Sequence, residues 1–221
     1  MVYKLRVVMK KVLVIVLFLL TTTVHSKDWT FEINPFNIKM CSSNGLQKPS
    51  YFIDTCNVTN MVNLSFFNSH TFIPPYKDNR VCVLSNRKNW PFLVIKDGVP
   101  TIYDGKSWGQ SNANFLGINS NFVVSGFPIL LHQGKKTKIS RSFFSRRNCP
   151  RTIIGIHQNG SIILYVTSKS TLRQAQNYLF SIGCTDALNL DGGSSTFLYL
   201  NGKKQFSSNK GKSYPNVLYW E

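Results

Sequence analysis

The stretch Ala187-Leu188-Asn189-Leu190-Asp191-Gly192-Gly193-Ser194-Ser195-Thr196 constrains the fold and the position of a site more than any other segment. Its first four residues indicate a buried strand, and the polar half follows that strand directly. Two consecutive glycines allow a sharp turn and a close approach of the backbone to a ligand. Successive backbone N–H groups in such a turn can bind an anion. Composition also leaves open an ordinary β-turn in which Asp191 caps its own backbone.

The polar half of this segment offers one carboxylate and several neutral donors. Asp191 can serve as acid, base or nucleophile, or bind sugar hydroxyls, and the hydroxyl groups that follow suit phosphate or sugar oxygens. A hard divalent cation at Asp191 stays open, although the spacing matches no calcium loop. We predict no other cofactor. The predicted substrate-binding residues are Asn189, Gly192, Gly193, Ser194, Ser195 and Thr196.

The segments around this motif predict strands more often than helices. A hairpin is predicted from Thr152–His157 and 161–167, because Asn159-Gly160 supplies the backbone angles of a tight turn. One helix is predicted over Ser170 to Ile182, with Ser170 as its cap. Further strands are predicted at 92–95, 99–103, 197–200 and 217–220. The fold class is therefore α+β, a single domain dominated by a mixed or antiparallel sheet with few helices.

The first residues form a pattern typical of export. A basic start precedes an apolar run over 12–20, and small or medium residues stand before position 26. This pattern predicts a signal peptide over 1–26, removed on export to the periplasm or cell exterior. An uncleaved anchor is the alternative, although the run is shorter than the roughly 20 apolar residues of a membrane span. Residues 27–60 look irregular, and 61–221 form the predicted domain.

The charge balance favours anionic partners. The chain has a net charge of +17, and loss of the four positive charges in 1–26 leaves +13. Such a field suits phosphorylated glycans or an anionic cell envelope. Export and the absence of an Arg-rich helix or a Lys/aromatic RNA motif argue against nucleic acid. The oligomeric state is not determined by the sequence.

The five cysteines suggest disulfide chemistry rather than a zinc site. They show no C-x-x-C pattern, and an odd number leaves at least one thiol outside any intramolecular pair. Proximity in sequence alone suggests a bridge between Cys41 and Cys56.

Several segments, taken in order, resemble the phosphodiester glycosidase family. The Asp191 motif is similar to the family's hallmark, which usually has a third glycine where this chain has Ser194. Matching segments at 62–67, 92–98, 125–131, 151–155 and 214–218 follow the family's order. The resemblance covers about Met61 to Glu221.

The resemblance implies hydrolysis of a sugar 1-phosphodiester, with release of the sugar and a phosphomonoester. It places Asp191, Arg151 and Asn63 among the catalytic residues. A guanidinium can bind phosphate oxygens by two parallel hydrogen bonds. An amide suits sugar hydroxyls, although Asn63 can equally cap a turn or carry a glycan. Glycoside hydrolysis commonly uses two carboxylates, and the candidates for the second are Asp97, Asp104 and Asp186.

Two alternatives to this activity stay open. One is a non-catalytic exported module that binds anionic glycan or cell envelope. The other is a phosphodiesterase that cleaves on the other side of the phosphorus. A Ser/His/Asp triad is disfavoured because Ser194 lacks the Gly-x-Ser-x-Gly context of a nucleophile elbow.

Overall fold

The computed structural model describes residues 26–67, 76–77, 82–83, 90–105 and 120–221. The predicted signal peptide lies outside these residues except for its last position. The strands, numbered in chain order, are β1 Asp28–Ile33, β2 Ile38–Gln47, β3 Asn60–Asn63, β4 Tyr76–Lys77, β5 Cys82–Val83, β6 Phe92–Lys96, β7 Val99–Tyr103, β8 Phe122–Ser125, β9 Ile129–His132, β10 Lys135–Lys136, β11 Cys149–His157, β12 Ile162–Ser170, β13 Cys184–Asn189, β14 Phe197–Leu200, β15 Lys203–Ser207 and β16 Tyr214–Trp220. The α-helices are α1 Pro49–Cys56, α2 Phe143–Arg146 and α3 Leu172–Ser181, and short 3-10 turns occupy Pro35–Asn37 and Gly193–Ser195.

The strands form three sheets, and every pairing between neighbours is antiparallel. The largest sheet has the order β1-β12-β11-β13-β9-β10, which places β13 near its centre. A second sheet has the order β15-β14-β3-β16-β2, and a third has β5-β4-β8-β6-β7. The predicted α+β class with a dominant sheet and few helices is confirmed.

A single apolar core lies between the sheets. Leu188 of β13, Val62 of β3 and Val124 of β8 are all fully buried in it, so each sheet contributes one face. The outer face of the largest sheet is covered by α3, through Leu172, which is also fully buried. The second sheet is covered on its outer face by α1. Alternate residues of a strand point to opposite faces, so the central strands are apolar on both.

The predicted hairpin is confirmed as β11 and β12, and the predicted helix is confirmed with a different start. Ser170 is the last residue of β12 and does not cap the helix. Thr171 is the cap: its hydroxyl accepts from the Gln174 amide, and the Gln174 side chain accepts from the Thr171 amide. This reciprocal pair satisfies two backbone donors at once.

The expectation of an irregular segment over 27–60 is wrong. It contains β1, β2 and α1, and only short connections lie between them. The polar residues of this segment are compatible with strands, because β1 is an edge strand whose alternate side chains face solvent. The suggested bridge between Cys41 and Cys56 is confirmed, with a Cα–Cα distance of 6.4 Å, and it ties α1 to β2. None of the described helices combines the length and apolar character required to cross a membrane.

Candidate active site

The Asp191 segment leaves the sheet at the end of β13 and is held by neighbouring backbone. The Leu190 amide donates to the Thr152 carbonyl at 3.0 Å, and the Asp191 amide donates to the Leu64 carbonyl at 3.3 Å. Gly193 then takes a φ of +60°, in the left-handed region that favours glycine. We call residues 191–196 the Asp191 loop. Its shape is therefore fixed from both sides, by β11 and by the segment after β3.

The Asp191 carboxyl is largely withdrawn from water. Burial raises its pKa from 3.8 to about 6. Three groups oppose that rise: the Ser195 hydroxyl, the charge of Lys212 and the Gly192 amide, which donates to Oδ1 at 2.9 Å. Desolvation dominates because it penalises the charged form more than these contacts favour it. The carboxyl therefore changes protonation state near neutral pH, as an acid/base group requires.

Asn63 lies directly against the Asp191 loop and is buried. Its Nδ2 donates to the Asp191 carbonyl at 2.6 Å. Its Oδ1 accepts from the Thr152 hydroxyl at 2.7 Å and from the Phe197 amide at 3.3 Å. The side chain thus joins β3, β11 and the start of β14 around one loop. Because both polar ends have protein partners, the contacts of Asn63 are those of a positioning residue.

Arg151 lies beneath the loop and is completely buried. Nε donates to the Ser170 carbonyl at 3.2 Å, and Nη2 donates to the carbonyls of Phe144 and Arg147 at 2.9 and 2.8 Å. Nη1 is buried and has no hydrogen-bond partner among the described residues. Removal from water lowers the pKa of the guanidinium. The two-pronged phosphate contact expected from the sequence is therefore occupied by backbone, and Nη1 is the remaining donor.

Gly192 is the point at which Arg151 supports the loop. A Cβ at Gly192 would lie 3.1 Å from the Pro150 carbonyl oxygen and 3.8 Å from Arg151 Cδ. A side chain here would push the loop away from β11. The glycine is therefore needed for a close approach between two backbones rather than for an unusual φ.

The predicted binding residues divide into two groups. Asn189 faces inward: Nδ2 donates to the carbonyls of Phe127 and Leu190 at 2.7 and 3.0 Å, and Oδ1 is buried with no partner in the described part of the chain. Thr196 is fully buried, and its hydroxyl has no partner among the described residues. Neither side chain reaches a surface. Their predicted contact with substrate is not supported by this geometry, because both belong to the supporting structure.

The second group lies nearer the surface: Gly192 and Gly193 are half-buried and Ser194 is exposed, whereas the Ser195 side chain is buried. The Gly192 amide is used by Asp191, and the Ser195 amide donates to the Gly192 carbonyl at 3.1 Å. The amides of Gly193 and Ser194 begin the 3-10 turn and have no acceptor among the described residues, as is usual for the first residues of a helical turn. These two amides remain as donors for an anion.

Two residues of the site were missed by sequence reasoning. Lys212 donates from Nζ to the Ser194 hydroxyl at 3.1 Å, and its charge acts on Asp191. Tyr214 is buried, and burial raises its pKa, with a further rise from the charge of Asp191. Lys212 lies two residues before β16, and Tyr214 is the first residue of that strand. A basic residue two positions before that strand was the available signal.

Of the three candidates for a second carboxylate, two lie at the strand ends that point away from the Asp191 loop. Asp186 pairs in register with Ile156 and accepts from the ring of His132 at 2.9 Å, at the start of β13 rather than its end. Asp97 occupies the turn between β6 and β7. Asp104 follows Tyr103, the last residue of β7. Tyr103 pairs with Phe92 of β6, which pairs with Ser125 of β8. Two residues after Ser125, the Phe127 amide donates to the Asn189 carbonyl, so this end of the third sheet lies on the Asp191 side. Asp104 is thus the candidate on the Asp191 side. In the described part of the chain, no three acidic, histidine or cysteine side chains gather as a metal site.

The family model for phosphodiester glycosidases matches residues 57–220. The chain belongs to the phosphodiester glycosidase family. The match begins just before β3 and ends in β16, so it includes Asn63, Arg151 and Lys212, which contact or support the Asp191 loop. No curated protein matches the chain.

Three solved structures have a similar fold. A hypothetical protein from Synechocystis is 16% identical with a TM-score of 0.70, over 87% of this chain and 58% of that one. The catalytic domain of zebrafish N-acetylglucosamine-1-phosphodiester alpha-N-acetylglucosaminidase, auto-inhibited by its pro-peptide, is 14% identical with a TM-score of 0.71, over 89% and 83%. A Burkholderia pseudomallei protein named as a candidate for export is 12% identical with a TM-score of 0.55, over 87% and 73%. The chain thus spans a little over half of the Synechocystis protein. At these identities the likeness establishes the family's fold.

Proposed function

We propose that this protein hydrolyses a sugar 1-phosphodiester, releasing the free sugar and a phosphomonoester. The observation that carries the proposal is the Asp191 carboxyl, with a pKa of about 6, in a loop whose Gly193 and Ser194 amides have no acceptor among the described residues. Family membership and the zebrafish relative's named activity support the same reaction class. The substrate is a phosphorylated glycan or another anionic carbohydrate.

Asp191 is the acid/base or nucleophilic group of the proposed reaction. The bond between the anomeric carbon and the phosphate oxygen breaks, and the electron pair leaves with the phosphate. Above pH 6 the carboxylate is ionised, so it can accept the proton of an attacking water or attack the anomeric carbon itself. A phosphate is already a good leaving group, so strong acid assistance to it is less necessary.

The charge that develops on the phosphate needs stabilising donors. The Gly193 and Ser194 amides provide two of them, held in place by the fixed shape of the loop. Arg151 adds a buried positive charge beneath Gly192, which stabilises the charge on the phosphate through the loop without contacting the substrate. Donors fixed before the reaction stabilise the transition state more than donors that must reorganise.

Asp104 is the proposed second carboxylate, because it lies at the Asp191 end of the third sheet. Asp186 provides a matched control on β13. We expect Asp104→Asn to lower kcat and Asp186→Asn to leave kcat within about twofold. The two substitutions remove the same charge, so a difference between them reports the position of Asp104. Equal rates for both variants would remove Asp104 from the mechanism.

The deciding experiment is turnover of a sugar 1-phosphodiester by the wild-type protein and by Asp191→Asn. Wild type should release free sugar, and Asp191→Asn should lose at least about 10²-fold in kcat, the typical contribution of an acid/base group. A folded Asp191→Asn protein with full activity would refute the assigned role. Release of sugar phosphate in place of free sugar would indicate cleavage on the other side of the phosphorus.

The second candidate function is binding without turnover. The observation that favours it is the net charge, +17 for the whole chain and +13 once the four charges of 1–26 are removed. Such a module would bind anionic glycan or envelope with an affinity that falls steeply as salt rises, because screening weakens charge contacts. Salt-sensitive binding with no product over long incubation would favour this function over hydrolysis.

Export to the periplasm or cell exterior is part of the proposal. The basic and apolar pattern of 1–26 supports a cleaved signal peptide. The intramolecular bridge Cys41–Cys56 also suits an oxidising compartment. N-terminal sequencing of the exported protein would test cleavage after Ser26.

A further inference from the structure

Lys212 is half-buried and contacts the Asp191 loop at its exposed residue, Ser194. Its Nζ is 3.1 Å from the Ser194 hydroxyl and 5.1 Å from the ring centroid of Phe67. The ammonium therefore has one contact to the loop and one to an aromatic face, which holds a cation in a fixed direction. Ser194 itself is exposed. Lys212 and Ser194 are therefore accessible to a ligand, unlike the buried residues that hold the loop in place.

The backbone around Lys212 is tied to the loop that it faces. The Ser208 amide and hydroxyl both donate to the Thr196 carbonyl at 3.0 Å. The Gly211 carbonyl accepts from the ammonium of Lys48, and the Lys212 amide donates to the Asn209 carbonyl at 3.3 Å. The position of Lys212 is thus set by backbone contacts at both ends of its segment. A lysine held in this way loses less freedom on binding a ligand than one on an open surface.

The ammonium of Lys212 has unused capacity. A lysine has three N–H donors, and in the described residues one of them goes to Ser194 and none to a second acceptor. Its charge acts on Asp191, and the Gly193 and Ser194 amides lie in the same loop. A phosphate on the outer side of the loop would meet all three donors, one ammonium and two backbone amides. The neutral loop amides alone would provide no net charge.

We infer that Lys212 binds a non-ester oxygen of the substrate phosphate, and that Ser194 holds the ammonium in place instead of contacting the substrate. This inference rests on the proposed function for the identity of the substrate, and the anion site itself rests on the contacts above. The family usually has glycine at the position of Ser194, so the hydroxyl is an addition. The Ser194 hydroxyl accepts a hydrogen bond from Lys212, which gives this extra group a role in the site.

The test compares Lys212→Met with the matched control Lys210→Met. Lys210 lies in the same segment and is exposed, and its loss changes the net charge equally. Binding of methyl phosphate is measured by titration calorimetry at pH 7, and turnover of a sugar 1-phosphodiester is measured separately. We expect Lys212→Met to weaken methyl phosphate binding by about 10- to 100-fold, the range for a charge-assisted hydrogen bond. Lys210→Met should change it by less than about twofold.

Two further variants separate the roles of the pair. Ser194→Gly should weaken binding by only a few fold, because the ammonium remains but is less well held. Lys212→Arg should recover part of the affinity, since the charge is restored. In turnover, the loss in Lys212→Met should appear mainly in KM. A large loss in Ser194→Gly with no loss in Lys212→Met would overturn the inference, and urea unfolding of each variant excludes a loss of fold.

The two measurements, methyl phosphate binding and substrate turnover, distinguish this inference from the proposed function. If wild type binds methyl phosphate through Lys212 and hydrolyses no sugar phosphodiester, the inference stands and the proposed activity is refuted. If wild type turns over the substrate and Lys212→Met matches it in KM and affinity, the inference is refuted and the activity stands. Absence of both binding and turnover in wild type would refute both.

Discussion

Asp191→Asn should make the protein more stable at neutral pH while it removes activity. The native fold holds the Asp191 carboxyl with a pKa of about 6, against 3.8 for the unpaired group. An aspartate whose pKa is raised by folding stabilises the fold while it is protonated. This contribution is complete below pH 3.8 and is lost as pH rises through 6.

The magnitude follows from the two pKa values. Each pH unit between them corresponds to 1.36 kcal/mol, so ionising Asp191 lowers the free energy of unfolding by at most about 3 kcal/mol. The asparagine side chain is neutral at every pH and keeps an oxygen for the Gly192 amide, which donates to Oδ1 in the native protein. We therefore expect Asp191→Asn to gain up to about 3 kcal/mol at pH 8 and to match wild type near pH 4.

The assay is urea unfolding of both proteins, followed by tryptophan fluorescence at several values between pH 4 and pH 8, with the disulfide intact. The quantity of interest is the difference in unfolding free energy between variant and wild type, because charge effects elsewhere in this basic chain cancel in it. A difference that does not change with pH would show that Asp191 titrates normally. A wild type that becomes more stable as pH rises past 4, relative to the variant, would show that Lys212 outweighs burial.

Three other changes test the support of the loop. Arg151→Lys should lower kcat by about 10²–10³-fold, because a lysine cannot bind the three backbone carbonyls that Arg151 bonds and so cannot support the loop amides in the same position, and a wild-type rate would contradict this. Asn63→Ala should cost about 2–4 kcal/mol in urea unfolding, since it leaves buried donors and an acceptor without partners, and an unchanged midpoint would remove its positioning role. Replacing Cys41 and Cys56 by serine should cost about 3 kcal/mol, because the bridge closes a loop of sequence separation 15; equal denaturant midpoints would show that the bridge adds no stability.

The sequence predicted the elements whose own residues determine them. The β11–β12 hairpin was predictable because its turn contains Asn159-Gly160, and Gly160 takes a φ of +85°. The position of the Asp191 loop was predictable because an apolar strand ends where the glycines begin. The helix start was shifted by one because Ser170 and Thr171 are both good caps, and only the contacts of Gln174 choose between them.

The directions of the site's side chains could not be predicted. Arg151 and Asn189 are polar residues beside a polar loop, and a sequence gives no sign that both face inward. Their partners are backbone carbonyls that are distant in the chain, such as that of Phe127, which accepts from Asn189. Lys212 was missed for the same reason, since its contact with Ser194 depends on how β16 enters the second sheet.

The order of the second sheet affects when the site can form during synthesis. β16 is the last of its strands to be made, yet it inserts between β2 and β3, which are made early. Until β16 is available, β2 and β3 have no common neighbour, and Lys212 and Tyr214 have not reached the Asp191 loop. A nascent chain therefore stays without a complete core while most of it emerges. If the chain is exported as proposed, this delay keeps the polypeptide unfolded while a translocation channel threads it.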